Sequence, residues 1–212
     1  MTSLIGKSVQ VDSQKWDERY SGTEFEWTME PNQFVAAELA GLPPGRALDL
    51  AAGEGRNTVW LAEQGWRVTA VDFSRVGLEK GRELSEARGL DQAKVDWVVA
   101  DLRDYEPGRG GYDLVLIAYF QAAPQLRAGV MARAAAALVP GGTAFVVGHD
   151  LTNLADGVGG PQDPEVLYTP AAVSAELTGL RIVRAERVQR IVNREGGPAV
   201  AIDTLVRAVR EA

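Results

Sequence analysis

The chain has 212 residues, 46% of them hydrophobic and 24% charged, with 22 basic against 29 acidic side chains and a formal net charge of −7. This is the profile of a folded globule long enough to bury a sizeable core, which excludes a disordered chain. Its acidity disfavours a nucleic-acid partner, because a phosphate backbone repels it. The absence of cysteine excludes disulfides, thiol nucleophiles, iron–sulfur clusters and zinc thiolates, and the single histidine, His149, excludes a multi-histidine metal site. The opening residues Met1-Thr2-Ser3-Leu4-Ile5-Gly6-Lys7-Ser8 are too polar for a leader, and nowhere do 18 apolar residues run together. No membrane partner and a cytoplasmic location are the expectations.

In chain order, Phe34, Val35 and Leu39 suggest a first helix, with Gly41 as its C-cap. A strand follows at Ala47-Leu48-Asp49-Leu50, then a helix with Val59, Trp60 and Leu61 closed by Gly65. The next strand is Arg67-Val68-Thr69-Ala70-Val71, and Ser74 is placed to N-cap a helix holding Leu78 and Leu84. Strands are expected at Val95-Asp96-Trp97-Val98-Val99 and Leu114-Val115-Leu116-Ile117. Leu126, Val130, Met131 and Leu138 share one helical face ahead of Pro140-Gly141-Gly142, and a fifth strand is Thr143-Ala144-Phe145-Val146-Val147. Thr169-Pro170 fits an N-cap and first helical position. Residues 181–193 and 199–209 are long runs separated only by Glu195-Gly196-Gly197-Pro198, too short for a crossover helix, so they predict an antiparallel hairpin. Strands alternating with helices imply a doubly wound parallel sheet, and the whole reads as five parallel strands and a reversed pair at one edge. No domain boundary is visible. The chain reads as one domain, residues 1–212, with a lid segment at 1–30 and a catalytic core at 31–212.

The most informative stretch is Leu48-Asp49-Leu50-Ala51-Ala52-Gly53-Glu54-Gly55-Arg56-Asn57, which leaves the first strand, passes two glycines and enters a helix. Glycines here let backbone approach a ligand, and open parallel sheets bind ligands at the carboxyl ends of their strands. A dinucleotide fingerprint wants a third small residue where Thr58 stands, and acidic Asp49 suits a cationic or amino-bearing ligand better than a pyrophosphate. Asp72, near the end of the second strand, can accept from both ribose hydroxyls in either case. Asp101, beyond the third strand, is placed to accept from an exocyclic amine.

The segments Asp49-Leu50-Ala51-Ala52-Gly53-Glu54-Gly55, Val71-Asp72-Phe73-Ser74, Ala100-Asp101-Leu102, Tyr112-Asp113-Leu114-Val115 and Leu138-Val139-Pro140-Gly141-Gly142 together resemble the class I S-adenosylmethionine-dependent methyltransferases, in the family's order and spacing. The resemblance covers roughly residues 30 to 209. It implies a Rossmann-like seven-stranded α/β sheet, mostly parallel with an antiparallel last strand, and S-adenosyl-L-methionine as cofactor. One departure is Ala51, where the family has its first loop glycine. The resemblance implies that Asp49 and the backbone at Ala51, Gly53 and Gly55 face the methionine portion and that Asp72 holds the ribose. It also implies Phe73 beside the adenine, Asp101 and the Leu102 backbone at the adenine edge, and Ala118 contributing backbone to the methionine amino group. Trp16-Asp17-Glu18-Arg19-Tyr20 is similar to a segment that closes over the cofactor, which adds Trp16, Arg19 and Tyr20 to its contacts. Gly55-Arg56-Asn57 further resembles the tellurite-resistance and thiopurine methyltransferase-like branch.

Trp27, Tyr119, Gln121 and Tyr168 are the acceptor-pocket candidates. His149 follows the fifth strand at the cleft and is a candidate general base or orienting group. Asp150 and Asn153 make a poor metal site, so no metal is expected. Asp113 reads as structural, Trp60, Trp66 and Trp97 as packing, and Gly157-Val158-Gly159-Gly160-Pro161-Gln162-Asp163-Pro164 as a mobile loop at the same rim. The expected activity is methyl transfer to a small-molecule acceptor by in-line displacement. Two rivals are a nicotinamide-dependent oxidoreductase and a non-catalytic cofactor-binding partner protein.

Overall fold

The computed structural model describes residues 13–194 and 196–212; residues 1–12, read above for a leader, and Glu195 of the hairpin link lie outside the described residues. One sheet organises the chain. Its strands are β1 (Arg46–Leu50), β2 (Arg67–Asp72), β3 (Val95–Val99), β4 (Tyr112–Ala118), β5 (Leu138–His149), β6 (Arg181–Arg194) and β7 (Gly197–Val209), in the order β3-β2-β1-β4-β5-β7-β6. The first five pair in parallel, while β7 is antiparallel to both β5 and β6.

Only β7 is therefore reversed, and β6 at the edge runs with the first five, which corrects the expected reversed pair. Composition explains which strand goes inside. β7 carries Ala201, Leu205, Val206 and Ala208 and is largely buried, whereas β6 presents Arg181, Arg184, Arg187 and Arg194 to solvent. A charged, exposed strand at an open edge resists unwanted pairing.

The helices are α1 (Ser13–Tyr20), α2 (Gln33–Leu39), α3 (Arg56–Glu63), α4 (Arg75–Ala87), α5 (Pro124–Ala137), α6 (Asn153–Asp156) and α7 (Pro170–Glu176). Ser74 and Thr169 cap α4 and α7 as expected, accepting from the Gly77 and Ala172 N–H groups. The α2 cap is Ala40 rather than Gly41. Leu138 was expected on the helical face of α5, yet the helix stops at Ala137 and Leu138 already pairs with Tyr112 as strand. It stays buried in the same core, so the apolar spacing survives the change of backbone.

Successive strand residues point to opposite faces, so each central strand feeds two cores. Leu48, Leu50, Val115, Ile117 and Val146 pack beneath α5 and α7, through Val130, Met131, Ala134 and Val173. Ala47, Leu114, Leu116, Phe145 and Leu205 pack beneath α2 and α3, through Val35, Leu39 and Leu61. Trp66 lies in this second core, as its packing assignment requires, and Asp113 accepts the Arg46 N–H at 2.8 Å in the structural role expected. Both layers leave the carboxyl ends of β1, β2, β4 and β5 on one rim, where the glycine loop also lies.

Trp97 of β3 sets the height of that loop: a Cβ on Gly55 would lie 2.7 Å from its ring, and Gly55 has φ +73. Gly55→Ala should therefore lower stability by about 2–4 kcal/mol, from left-handed strain together with overpacking. A denaturant titration checks this; a midpoint equal to that of the parent chain would contradict it.

Candidate active site

The site begins where β1 runs out. Ala51, Gly53 and Gly55 all adopt positive φ, 62°, 55° and 73°, so the chain coils tightly before entering α3. Ala51 holds the left-handed conformation despite its methyl group, at a cost of about 1–2 kcal/mol. Asp72 ties the loop down: its two oxygens accept the Gly53 N–H at 2.9 Å and the Ser74 N–H at 2.8 Å. One carboxylate thus holds the glycine loop against the start of α4. Burial pushes the Asp72 carboxyl up to about 6, with the two backbone bonds opposing. A carboxylate offers about four lone-pair sites, so two remain for a vicinal diol.

Asp49 lies one strand away and is fully buried, with the Thr58 hydroxyl donating to it at 2.6 Å. Thr58, the residue that spoils the dinucleotide pattern, thus has a positive role. Burial pushes Asp49 up to about 7; Thr58 and Arg56 oppose the shift and the Asp72 charge adds to it. A buried carboxylate with one hydrogen-bond donor among the described residues suits a cationic or ammonium-bearing ligand. The donor set, a strained backbone coil with two acids behind it, fits an amino-acid nucleoside.

The N-terminal segment closes over this loop. Asp17 accepts from the Ser74 hydroxyl at 2.5 Å and the Val76 N–H at 3.3 Å, docking α1 on the start of α4. Tyr20 is buried, and a Cβ on Gly53 would lie 3.0 Å from its hydroxyl. Glu54 reaches out of the loop to take the N–H groups of Glu26 and Trp27 and the Lys80 ammonium at 3.0 Å. Arg19 pairs with Glu26 and stacks over the Trp16 and Trp27 rings.

At the ends of β4 and β5 a second constellation gathers. Tyr119 follows Ala118 with φ 57°, and its N–H donates to the Val147 carbonyl at 2.7 Å, which swings the phenol toward His149. The two rings lie 4.9 Å apart, tilted by 55°. The Tyr119 hydroxyl donates to Asp203 at 2.8 Å and receives the Asn32 amide at 3.1 Å. Arg190 donates to the same Asp203 oxygen at 3.0 Å and lies over the Tyr119 ring. The other Asp203 oxygen faces His149 Nδ1 at 3.3 Å. Tyr119 is pushed up beyond the usual phenol range by burial and by the Asp203 charge, so its hydroxyl stays protonated and donating.

The remaining expected residues divide. Asp101 is engaged with Arg103, whose N–H, Nε and Nη2 occupy both its oxygens, and that pairing holds its carboxyl below the usual range. Leu102 is buried, with its carbonyl accepting from Arg133. Phe73 and Gln121 are partly buried at the rim. Trp27 is 45% exposed and lies with Glu54 and Arg19, above the glycine loop. Tyr168 is 1% exposed in the core, bonded to the Phe120 carbonyl with Gly148 against its ring, so it braces the segment behind Tyr119 and does not line a cleft.

Asp150 and Asn153 are likewise committed. Asp150 accepts from Thr152, Arg187 and Thr204, and Asn153 bonds Ile202 and Gly159. Through Asn153, and with Val158 N–H on the Val200 carbonyl at 3.0 Å, residues 157–159 at the start of the expected 157–164 loop are tied to β7. Among the described residues no cluster of three or more His, Cys, Asp or Glu could hold a metal, and no helix is long and apolar enough to cross a membrane. Asp203, Arg190, Asn32 and Glu54 were missed. A lone acid inside the apolar run of β7 was the available signal for Asp203. A surface recess of about 290 Å³, lined by Arg46, Arg67, Lys94 and Asp96, lies at the amino ends of the strands, away from these groups.

The sheet order thus sets an acid-backed glycine coil at the carboxyl end of its first strand. Residues 47–142 match a family model described as a methyltransferase domain. The chain thus carries a methyltransferase domain over just under half of its length. Its fold is similar to that of a protein solved in work on the conversion of a disulfide bond into a thioacetal group during echinomycin biosynthesis, at 20% identity and TM-score 0.73, covering 94% of this chain and 91% of that one. TehB from Haemophilus influenzae is similar at 15% identity and TM-score 0.69, over 94% and 67% of the two chains. A SAM-dependent methyltransferase from Aquifex aeolicus is similar at 16% identity and TM-score 0.63, over 94% and 98%. At these identities the likeness is one of fold. No curated protein sequence matches the chain.

Asp49, raised from its ordinary 3.8 to about 7, favours the folded state when protonated. Its contribution is fully present below about pH 4 and is lost as pH rises through 7. The ligand-free chain should therefore lose melting temperature between pH 5 and 8, and Asp49→Asn should flatten that fall. The same variant should bind S-adenosylhomocysteine at least about tenfold more weakly, as the loss of one charge-assisted bond requires. Thermal melts and calorimetry check both halves.

Proposed function

We propose that the chain methylates a small-molecule acceptor by in-line displacement, with His149 as the base or orienting group. The observation that carries the reading is the position of the imidazole, at the carboxyl end of β5, beside Tyr119 and two strands from β1, which leads into the glycine loop. When bound, S-adenosylmethionine supplies a methyl on a positively charged sulfur, so no electrophile has to be built. Asp49 and the coil at Ala51, Gly53 and Gly55 would hold its amino-acid portion, and Asp72 its ribose. The N-terminal segment of α1 and residues 24–27 acts as a lid that excludes water. Tyr119, Gln121 and His149 wall the acceptor side, and Trp27 belongs to the lid. Holding acceptor and methyl in line lowers the barrier by about 7–11 kcal/mol. The formal charge of −7 supports a small molecule over nucleic acid.

Calorimetry should show binding of S-adenosylhomocysteine and none of NAD; the reverse would favour an oxidoreductase. In a methylation assay over a panel of hydroxyl, amine and thiol acceptors, His149→Ala should lower kcat about 10²- to 10⁴-fold for acceptors that must lose a proton. Unchanged turnover at every pH would remove His149 from the chemistry.

A further inference from the structure

Two buried polar atoms face each other without other company. His149 Nδ1 and Asp203 Oδ1 are 3.3 Å apart, and among the described residues neither has a geometrically aligned hydrogen-bond partner. The register of the antiparallel pair enforces the meeting, since His149 lies directly opposite Asp203 across β5 and β7. Asp203 is 0% exposed, and its second oxygen is already taken by Tyr119 and Arg190. Burial works to raise the Asp203 carboxyl, but the His149 contact and the Arg190 charge outweigh it and hold it below the usual range. A carboxylate has no proton to give, so the proton between these two atoms belongs to Nδ1.

The ring has little freedom to escape this arrangement. Tyr119 lies against it at 4.9 Å, and Gly160 is so close that a Cβ there would come within 2.9 Å of the imidazole Cγ. Turning the ring over would set a C–H against Oδ1 and leave a buried carboxylate oxygen without a donor. The imidazole keeps 11% exposure while Nδ1 has none, so its accessible part lies elsewhere on the ring.

We propose that Asp203 is the positioning residue for His149: it holds the neutral imidazole as the Nδ1–H tautomer with Nε2 as proton acceptor, and so selects acceptors that arrive protonated at oxygen or nitrogen. The inference rests on the base reading of His149. In the step, the acceptor's proton passes to Nε2 as the freed electron pair forms the new bond to the methyl carbon. The methyl–sulfur bond breaks with its pair left on sulfur, and the imidazolium, facing the Asp203 carboxylate, then releases the proton to water. A soft chalcogen anion has no such proton to lose and draws no benefit from the pair.

His149 is the chain's only histidine, so full-length protein made with ¹⁵N-labelled histidine shows one pair of ring-nitrogen resonances. With the imidazole neutral, the expected spectrum is that of the Nδ1–H tautomer. Asp203→Asn should move the population toward Nε2–H, because the amide offers a donor where the carboxylate had none. Tyr119→Phe, which removes a bond only from the other Asp203 oxygen, should leave the tautomer unchanged. Asp203→Asn should also lower turnover of hydroxyl and amine acceptors by about 10–100-fold while leaving thiol acceptors within about twofold. A parent spectrum already in the Nε2–H form overturns the inference even if Asp203→Asn does not fold. A folded Asp203→Asn with an unchanged tautomer also overturns it. Should His149→Ala leave turnover intact, the base reading falls instead, and the tautomer measurement still decides the role of Asp203.

Discussion

The reversed strand β7, driven between β5 and β6, is the constraint on which the constellation around His149 depends. Parallel strands deliver their carboxyl ends to one rim, but a strand running the other way brings its early residues there instead. Asp203 thereby comes level with His149, the last residue of β5, and Arg190 on β6 reaches the same carboxylate. Had both strands of the hairpin simply been appended with β6 inside, the imidazole would face an arginine-rich strand. The hairpin order is thus a chemical decision as well as a topological one.

On the proposed cofactor side, the governing effect is desolvation of two acids at the ends of adjacent strands. Burial raises both, the Asp72 charge raises Asp49 further, and the Asp17 charge adds to the rise at Asp72. Their different partners separate their tasks: Asp72 is bridged to backbone N–H groups and organises the loop, while among the described residues Asp49 has the Thr58 hydroxyl alone as donor. The strain at Ala51 belongs with this arrangement, since the coil it completes puts the Gly53 N–H within reach of Asp72.

Much of the fold was legible because its signals are local. Short apolar runs marked the strands, Ser74 and Thr169 marked helix starts, and the glycines of the loop marked the tight coil after β1. The boundary at Leu138 was not legible, because its apolar spacing satisfies a helix and a strand equally. Tyr168 read as a pocket residue because an aromatic near the rim gives no sign of which way it points; the close approach of Gly148 turns it inward. The pairing of His149 with Asp203 joins residues 54 apart in sequence, and only the strand register, set by the hairpin, reveals it.

The clasp formed by Glu54, Lys80 and residues 24–27 ties the N-terminal segment to the very coil proposed to hold the cofactor. Tyr20 rests on Gly53 beneath that clasp and covers this face of the coil. Under the proposed function, exchange of donor for spent product passes through the opening of this largely buried ion pair. Opening of this kind sets the pace of many enzymes. Because salt screens so sheltered a pair poorly, the traffic through this gate is governed by the local chemistry of the latch more than by the surrounding medium.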